Sequence, residues 1–140
     1  MVRGASAIIL KDKKIMLVKR SGYGAYPYTW ACPGGRAEGN ETPEQAITRE
    51  TKEELNFDLK DYKYVGDYSY EIEDSLKKKF HLDFDAVFCK VFITPLKNNF
   101  SKFKQKEGTR MKLFTLEDAE KLKMVCKEDI KMIRRLKKIL

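Results

Sequence analysis

Trp30–Phe57 reads WACPGGRAEGNETPEQAITRETKEELNF, and its second half spells out a helix with both ends marked. Thr42 is placed to cap free backbone amides, Pro43 takes the first helical position, and Gln45 completes a capping box. The spacing predicts a helix from Pro43 to about Leu55. Asn56 should end it, because Asn is among the few non-glycine residues that accept the left-handed conformation at a helix C-terminus. The helix then has about three and a half turns.

At 3.6 residues per turn, Ile47, Thr51 and Leu55 share a stripe suited to packing, and Glu50, Glu53 and Glu54 crowd an adjoining sector roughly 100° wide. Like charges at that spacing cost a helix a few tenths of a kcal/mol per pair, and a bound cation reverses the sign. Hard divalent ions take oxygen ligands and keep part of their water shell, which leaves positions for phosphate oxygens. Arg49, one turn before Glu53, is placed to pair with a carboxylate and hold its rotamer. An isolated TKEEL segment reads as a solvated helix face. Gly34 and Gly35 change that reading, because they let the backbone turn tightly beside the helix and make the stretch a candidate site for metal-bound diphosphate.

Counted from Gly35, the pattern is a glycine, five residues, Glu41, seven residues, Arg49-Glu50, and Glu53-Glu54 three and four beyond Glu50. It resembles the signature of the Nudix hydrolases, and Trp30, Pro33, Gly34 and Glu38 resemble that family's lead-in. Thr51 stands where an aliphatic residue is usual and Asn56 where glycine is usual; neither is a ligand position. The resemblance implies an α/β fold, a mixed β-sheet sandwiched between helices, with the signature loop and helix at the mouth of a ligand cleft. It implies Mg²⁺ or Mn²⁺ held by Glu50, Glu53, Glu54 and the Gly34 carbonyl. Arg49 would position the carboxylates, and either Glu50 or Glu107 would act as general base. Gly35, Glu41, Tyr28 and Trp30 are expected to border the substrate, Glu41 alternatively bracing the loop or reaching the metal through water.

The chain has 140 residues, the length of a single domain, taken here as residues 1–140. Ala5–Leu10 and Ile15–Val18 read as a hairpin joined by Lys11–Lys14. Ser21–Thr29 reads as a loop in which Tyr23, Tyr26 and Tyr28 serve either as packing or as a platform for a base. Tyr62–Tyr70 and Phe80–Thr94 read as strands separated by a polar segment. On the second, His81, Asp83 and Asp85 alternate with apolar residues, as on any half-exposed strand. Met111–Phe114 is another expected strand. Thr115–Asp118 starts a helical region whose apolar side carries Leu122, Cys126, Ile130, Ile133 and Leu140. Cys32, Cys89 and Cys126 lack the spacing of a zinc site or a disulfide framework and read as buried thiols. Cys32 as a nucleophile would have only His81 for its base.

No run approaches the ~18 apolar residues of a membrane span, and the start lacks a signal-peptide pattern. A cytoplasmic protein, monomer or homodimer, is expected. The formal charge is +8, and the whole excess lies in residues 97–140. Such a region attracts polyanions, RNA among them, or is simply a solvated lysine-rich face. The reaction expected from the resemblance is hydrolysis of a nucleoside triphosphate, including oxidised guanine nucleotides, to the monophosphate and pyrophosphate. Alternatives are an RNA 5′-end pyrophosphohydrolase, hydrolases of ADP-ribose, nucleotide sugars or dinucleoside polyphosphates, and a non-catalytic nucleotide sensor. The ADP-ribose group typically carries a proline some fifteen residues past the signature; here none occurs between Pro43 and Pro95.

Overall fold

A computed structural model describes residues 2–19, 29–56, 58–96, 110–122 and 127–139. Strands β1 (Val2–Lys11) and β2 (Lys14–Lys19) form the expected hairpin, with Lys11 opposite Lys14. Asp12 and Lys13 between them take φ of 52° and 62°, the positive values that a two-residue turn matching the right-handed strand twist requires. The two strands then diverge. β3 (Trp30–Ala31) pairs with the end of β2, and β4 (Gly34–Arg36) pairs with the start of β1.

The signature helix α1 spans Pro43–Leu55. Gln45 N–H donates to Thr42 Oγ at 3.1 Å and Thr42 N–H donates to Gln45 Oε1 at 2.9 Å. Asn56 closes the helix at φ 54°, ψ 36°, its N–H reaching the Lys52 carbonyl. Ile47, Thr51 and Leu55 are fully buried. The Thr51 hydroxyl donates to the Ile47 carbonyl at 2.8 Å, so the substitution of threonine for an aliphatic residue leaves no orphaned polar group.

β5 (Lys63–Glu71), α2 (Asp74–Phe80), β6 (Ala86–Pro95), β7 (Arg110–Thr115), α3 (Leu116–Glu120) and α4 (Lys127–Ile139) follow. Among the described residues the sheet has seven strands, ordered β3-β2-β1-β6-β5, with β4 beside β1 and β7 beside β2. The β1–β6 pair is parallel and the others are antiparallel. The period of two along β1 divides the core between two faces. Ala5, Ala7 and Ile9 pack with Met16, Val18, Ile47 and Leu55 under α1. Ile8 packs with Ile15, Leu17, Ala119, Ile133 and Leu136 under α3 and α4. The result is the expected α/β architecture, a mixed sheet between helices. No helix among the described residues is long and apolar enough to cross a membrane.

Two expectations need correcting. The strand predicted from Phe80 begins only at Ala86; Phe80 ends α2, and His81 caps it in the left-handed conformation at φ 54°. The polar segment expected between the two strands is helical at its lysines, and Lys77 ties that helix to the coming strand through Asp85 at 2.6 Å. The terminal helical region is two helices, with Met132 and Leu136 among its buried residues.

Candidate active site

Arg49 is the hub of the signature helix. Its guanidinium donates in bidentate fashion to Glu41, from Nε at 2.8 Å and from Nη2 at 2.9 Å, and from Nη1 to Glu50 at 3.0 Å and Glu53 at 3.2 Å. Nη2 also reaches the Arg36 carbonyl at 3.0 Å, which ties the helix to the end of β4. Hydrogen bonds from Arg49 and from the Glu38 amide hold the Glu41 carboxyl at about 2, well below the usual range. The bond to Glu41 in turn pushes the Arg49 guanidinium further above its ordinary value. Glu41 is therefore committed to Arg49 and braces the loop. Glu50 is 18% exposed at its side chain and Glu53 51%, so one carboxylate is tucked against the loop and the other faces outward.

The glycines bring the loop into contact with these acids. Gly34 N–H donates to Glu54 Oε1 at 3.2 Å. A Cβ on Gly35 would fall inside the Glu50 carboxyl, and one on Gly34, at φ 154°, would strike the Ala5 carbonyl. Only the absence of side chains lets β4 lie this close to both α1 and β1. Among the described residues no three His, Cys, Asp or Glu side chains converge as a ready-made cage, because Arg49 stands between Glu41, Glu50 and Glu53. The donors present are still carboxylate oxygens, the type a hard divalent ion prefers. Mg²⁺ usually binds through one or two carboxylates while keeping several waters, so the carboxylates of this helix match its ligand chemistry without forming a closed shell.

On the other face of the same turn lies a cavity of about 310 Å³, lined by β1, β4, β5, the α2–β6 segment and the first turn of α4. Tyr68 and Tyr70 stack along one wall, ring centroids 6.2 Å apart, and Leu82 and Phe84 form another. Ser6, Arg36, Tyr68, Tyr70, Cys89 and Asp129 are among its lining residues. Asp129 is buried and accepts from the Tyr68 hydroxyl at 3.1 Å. Burial pushes the Cys89 thiol up, and its sulfur lies 3.3 Å from Ser6 Oγ. Cys32 lines the same cavity, half-buried.

The structure thus brings Gly34, Gly35, Glu41, Arg49, Glu50, Glu53 and Glu54 together. Trp30 instead packs edge-to-face on Phe114 at 4.9 Å, outside the cavity lining. Tyr28 and Glu107, and with them Tyr23, Tyr26 and Cys126, lie outside the described residues. His81 and Asp83 are exposed, and the neighbouring Leu82 and Phe84 take the positions on the cavity wall. Asp129, Tyr68 and Tyr70 escaped the sequence reading as site residues. The only local signal was a pair of acids, Glu128 and Asp129, in the first turn of a lysine- and arginine-rich helix.

An Escherichia coli (strain K12) CTP pyrophosphohydrolase is 33% identical over 72 residues, covering 51% of this chain and 53% of that protein. An ADP-ribose pyrophosphatase of Methanocaldococcus jannaschii is 44% identical over 62 residues, covering 44% and 36%. The chain spans about half or less of the length of these curated relatives. In three dimensions it superposes on a dihydroneopterin triphosphate pyrophosphohydrolase of E. coli with a TM-score of 0.76 at 18% identity, covering 95% of this chain and 92% of that one, a likeness of fold. The profile of the NUDIX domain matches residues 1–136. The mixed sheet between helices agrees with that match, and the chain belongs to the NUDIX domain family.

Proposed function

We propose that the protein is a divalent-metal-dependent pyrophosphohydrolase that cleaves a nucleoside triphosphate, ordinary or with an oxidised base, to the monophosphate and pyrophosphate. One observation carries this reading: the carboxylates ordered by Arg49 and the aromatic cavity back onto the same residues, Gly34 to Arg36. A substrate whose base enters the cavity has its phosphates at the acidic helix. A hard divalent ion bound through Glu50, Glu53 and Glu54 would neutralise the diphosphate and acidify the attacking water. The water oxygen forms a new bond to one phosphorus of the α–β linkage, the bond from that phosphorus to the bridging oxygen breaks, and the bridging oxygen leaves with the other phosphate fragment. Glu50, held against Gly35 and oriented by Arg49, is the described carboxylate best fixed to take the water's proton. Within the cavity, Asp129 and Ser6 offer polar atoms to the edge of a base, and Tyr68, Tyr70 and Phe84 offer faces for stacking.

The similarity to the archaeal ADP-ribose pyrophosphatase supports ADP-ribose as the second reading. Support for an RNA substrate is thinner. In α4 and α3, Lys131 pairs with Glu128, and both Arg134 and Lys137 pair with Glu120, so part of the basic face is already matched. The test is a chromatographic screen that resolves pyrophosphate and nucleoside monophosphates among the products, with Mg²⁺ and with chelator. Its substrates are the common and oxidised nucleoside triphosphates, ADP-ribose, nucleotide sugars, dinucleoside polyphosphates and triphosphorylated RNA. Chelator-sensitive turnover of a triphosphate is the expected result. Preference for ADP-ribose would replace the substrate, and nucleotide binding with turnover of none would replace catalysis by sensing.

A further inference from the structure

Strands β5 and β6 stay paired as far as Glu71 opposite Ala86, and one further bond, from Ile72 N–H to the Asp85 carbonyl at 2.7 Å, closes the pair. Residues 73–84 therefore leave the sheet and return to it at one point, as a loop with both feet together. The segment is held from within. Lys77 bridges Asp74 at 3.2 Å and Asp85 at 2.6 Å, and Leu82 N–H donates to the Lys77 carbonyl at 2.9 Å. None of its residues is buried, and the Glu73 side chain makes no capping bond at the start of α2. Leu82 and Phe84 line the cavity, and so does Cys89, which is only 5% exposed.

The free end of the segment is caught from the opposite side. The Arg36 guanidinium lies over the Phe84 ring, 5.2 Å from its centre, and Arg36 belongs to β4, which β1 separates from β6. The segment thus spans the cavity from its root at β5 and β6 to β4. Arg36 is exposed, and a cation–π contact at an exposed site is among the weaker contacts in a protein. A self-contained unit with no buried residue, firm feet and a weak catch belongs to the part of a fold that opens most readily.

We infer that residues 73–84 form a lid over the cavity, rooted at Ile72 and Asp85 and caught by the contact of Phe84 with Arg36, which opens to admit a ligand and closes on it through Leu82 and Phe84. A ligand shifts such an equilibrium only by what it touches in one state and not in the other. Leu82 and Phe84 supply that difference, since they meet the cavity's occupant only when the lid is down. That the occupant is a nucleoside rests on the proposed function; the lid itself does not.

The experiment follows the lid first without ligand. Opening exposes Cys89, so its alkylation by iodoacetamide reads the open fraction, with peptide mass spectrometry separating it from Cys32 and Cys126. Arg36→Gln removes the catch and should speed Cys89 alkylation about threefold, and Phe84→Ala, which removes catch and cover, about tenfold. In the wild type, methyl relaxation dispersion should show microsecond-to-millisecond exchange at Leu82 and none at Ile8, fixed in the core under α3 and α4. The four common nucleoside monophosphates are then added in turn, without metal. At least one should shift the Tyr68 and Tyr70 ring signals, suppress the exchange at Leu82 and slow Cys89 alkylation. The inference is overturned if Leu82 is as still as Ile8 in the free protein, or if neither substitution changes the alkylation rate. It is also overturned if a monophosphate that shifts Tyr68 and Tyr70 leaves the Leu82 exchange as it was. Should none of the four shift those rings, the nucleoside reading of the cavity falls, and the lid is decided by the ligand-free measurements alone.

Discussion

The acidic helix and the aromatic cavity share a two-residue turn yet are assembled in opposite ways. The hydrogen bonds that order the first lie between Gly34 and Glu54, and most of them come from one arginine dividing its donors among several carboxylates. The second draws on side chains from Val2 to Asp129, and its order comes from strand register and packing. A local, electrostatic site can be perturbed without moving atoms. A dispersed, packed one changes shape when touched. Conversely, substitutions in the cavity should alter which molecule is processed more than whether the bond is cut.

The hardest test of that contrast is Glu53→Gln or Glu54→Gln. Each removes a negative charge and no packing volume, so the rate should fall at least about a hundredfold while the thermal midpoint moves by only a few degrees. Steady-state kinetics beside a melting curve would check both halves, and full activity in both variants would undo the ligand assignment. Next in size is Gly35→Ala. The added methyl meets Glu50, and overpacking of this kind costs about 1–3 kcal/mol, so denaturant unfolding should show the loss together with slower turnover. A neutral result would mean that β4 and α1 are less tightly joined than the geometry shows.

Asp129→Asn sharpens the other half of the comparison. It exchanges an acceptor-only group for one that also donates, so the ratio of kcat/KM between amino- and keto-edged bases should shift about tenfold. The acidic helix, on the other face, should lose little rate on the preferred base. If selectivity holds and rate collapses instead, the two regions are not separable.

The smallest effect concerns pH. Glu41 sits at about 2 against an ordinary 4.5, a depressed carboxylate. Its pairing with Arg49 therefore contributes stability that is complete above the unfolded value and disappears as pH falls through about 2. In Glu41→Gln the deficit in unfolding midpoint should be constant above pH 5 and shrink between pH 4.5 and 2. A deficit that stayed constant through that window would show that the pairing is not what sets the Glu41 titration.

The same division governs what could be read before the fold was known. The capping box, the left-handed stop at Asn56, the buried stripe Ile47-Thr51-Leu55 and the pairing of Arg49 with Glu53 were all legible, because each depends on residues within a turn or two. The Asp12-Lys13 hairpin was legible for the same reason. The cavity was not, since nothing in the sequence states that Tyr68 will lie beside Asp129. The alternation from Phe80 to Phe88 misled in an instructive way. Apolar residues at every second position also suit a segment that lines a hollow, and Leu82 and Phe84 do so outside any strand. The lysine run before them read only as a polar segment because α2 buries none of its residues and so shows no apolar stripe.

The parallel pairing of β1 with β6 bears on how the molecule comes into being. Val2 lies against Val87 and Leu10 against Pro95, so β1 must wait for a strand made much later in the chain. In the meantime it has only its antiparallel partners β2 and β4, and Ile8 and Ile9, both sealed away in the finished protein, lack the cover of β6. Pairings that close such long loops are slow to form. During synthesis, then, β1 is where a half-made chain is most exposed to aggregation or to capture by a chaperone.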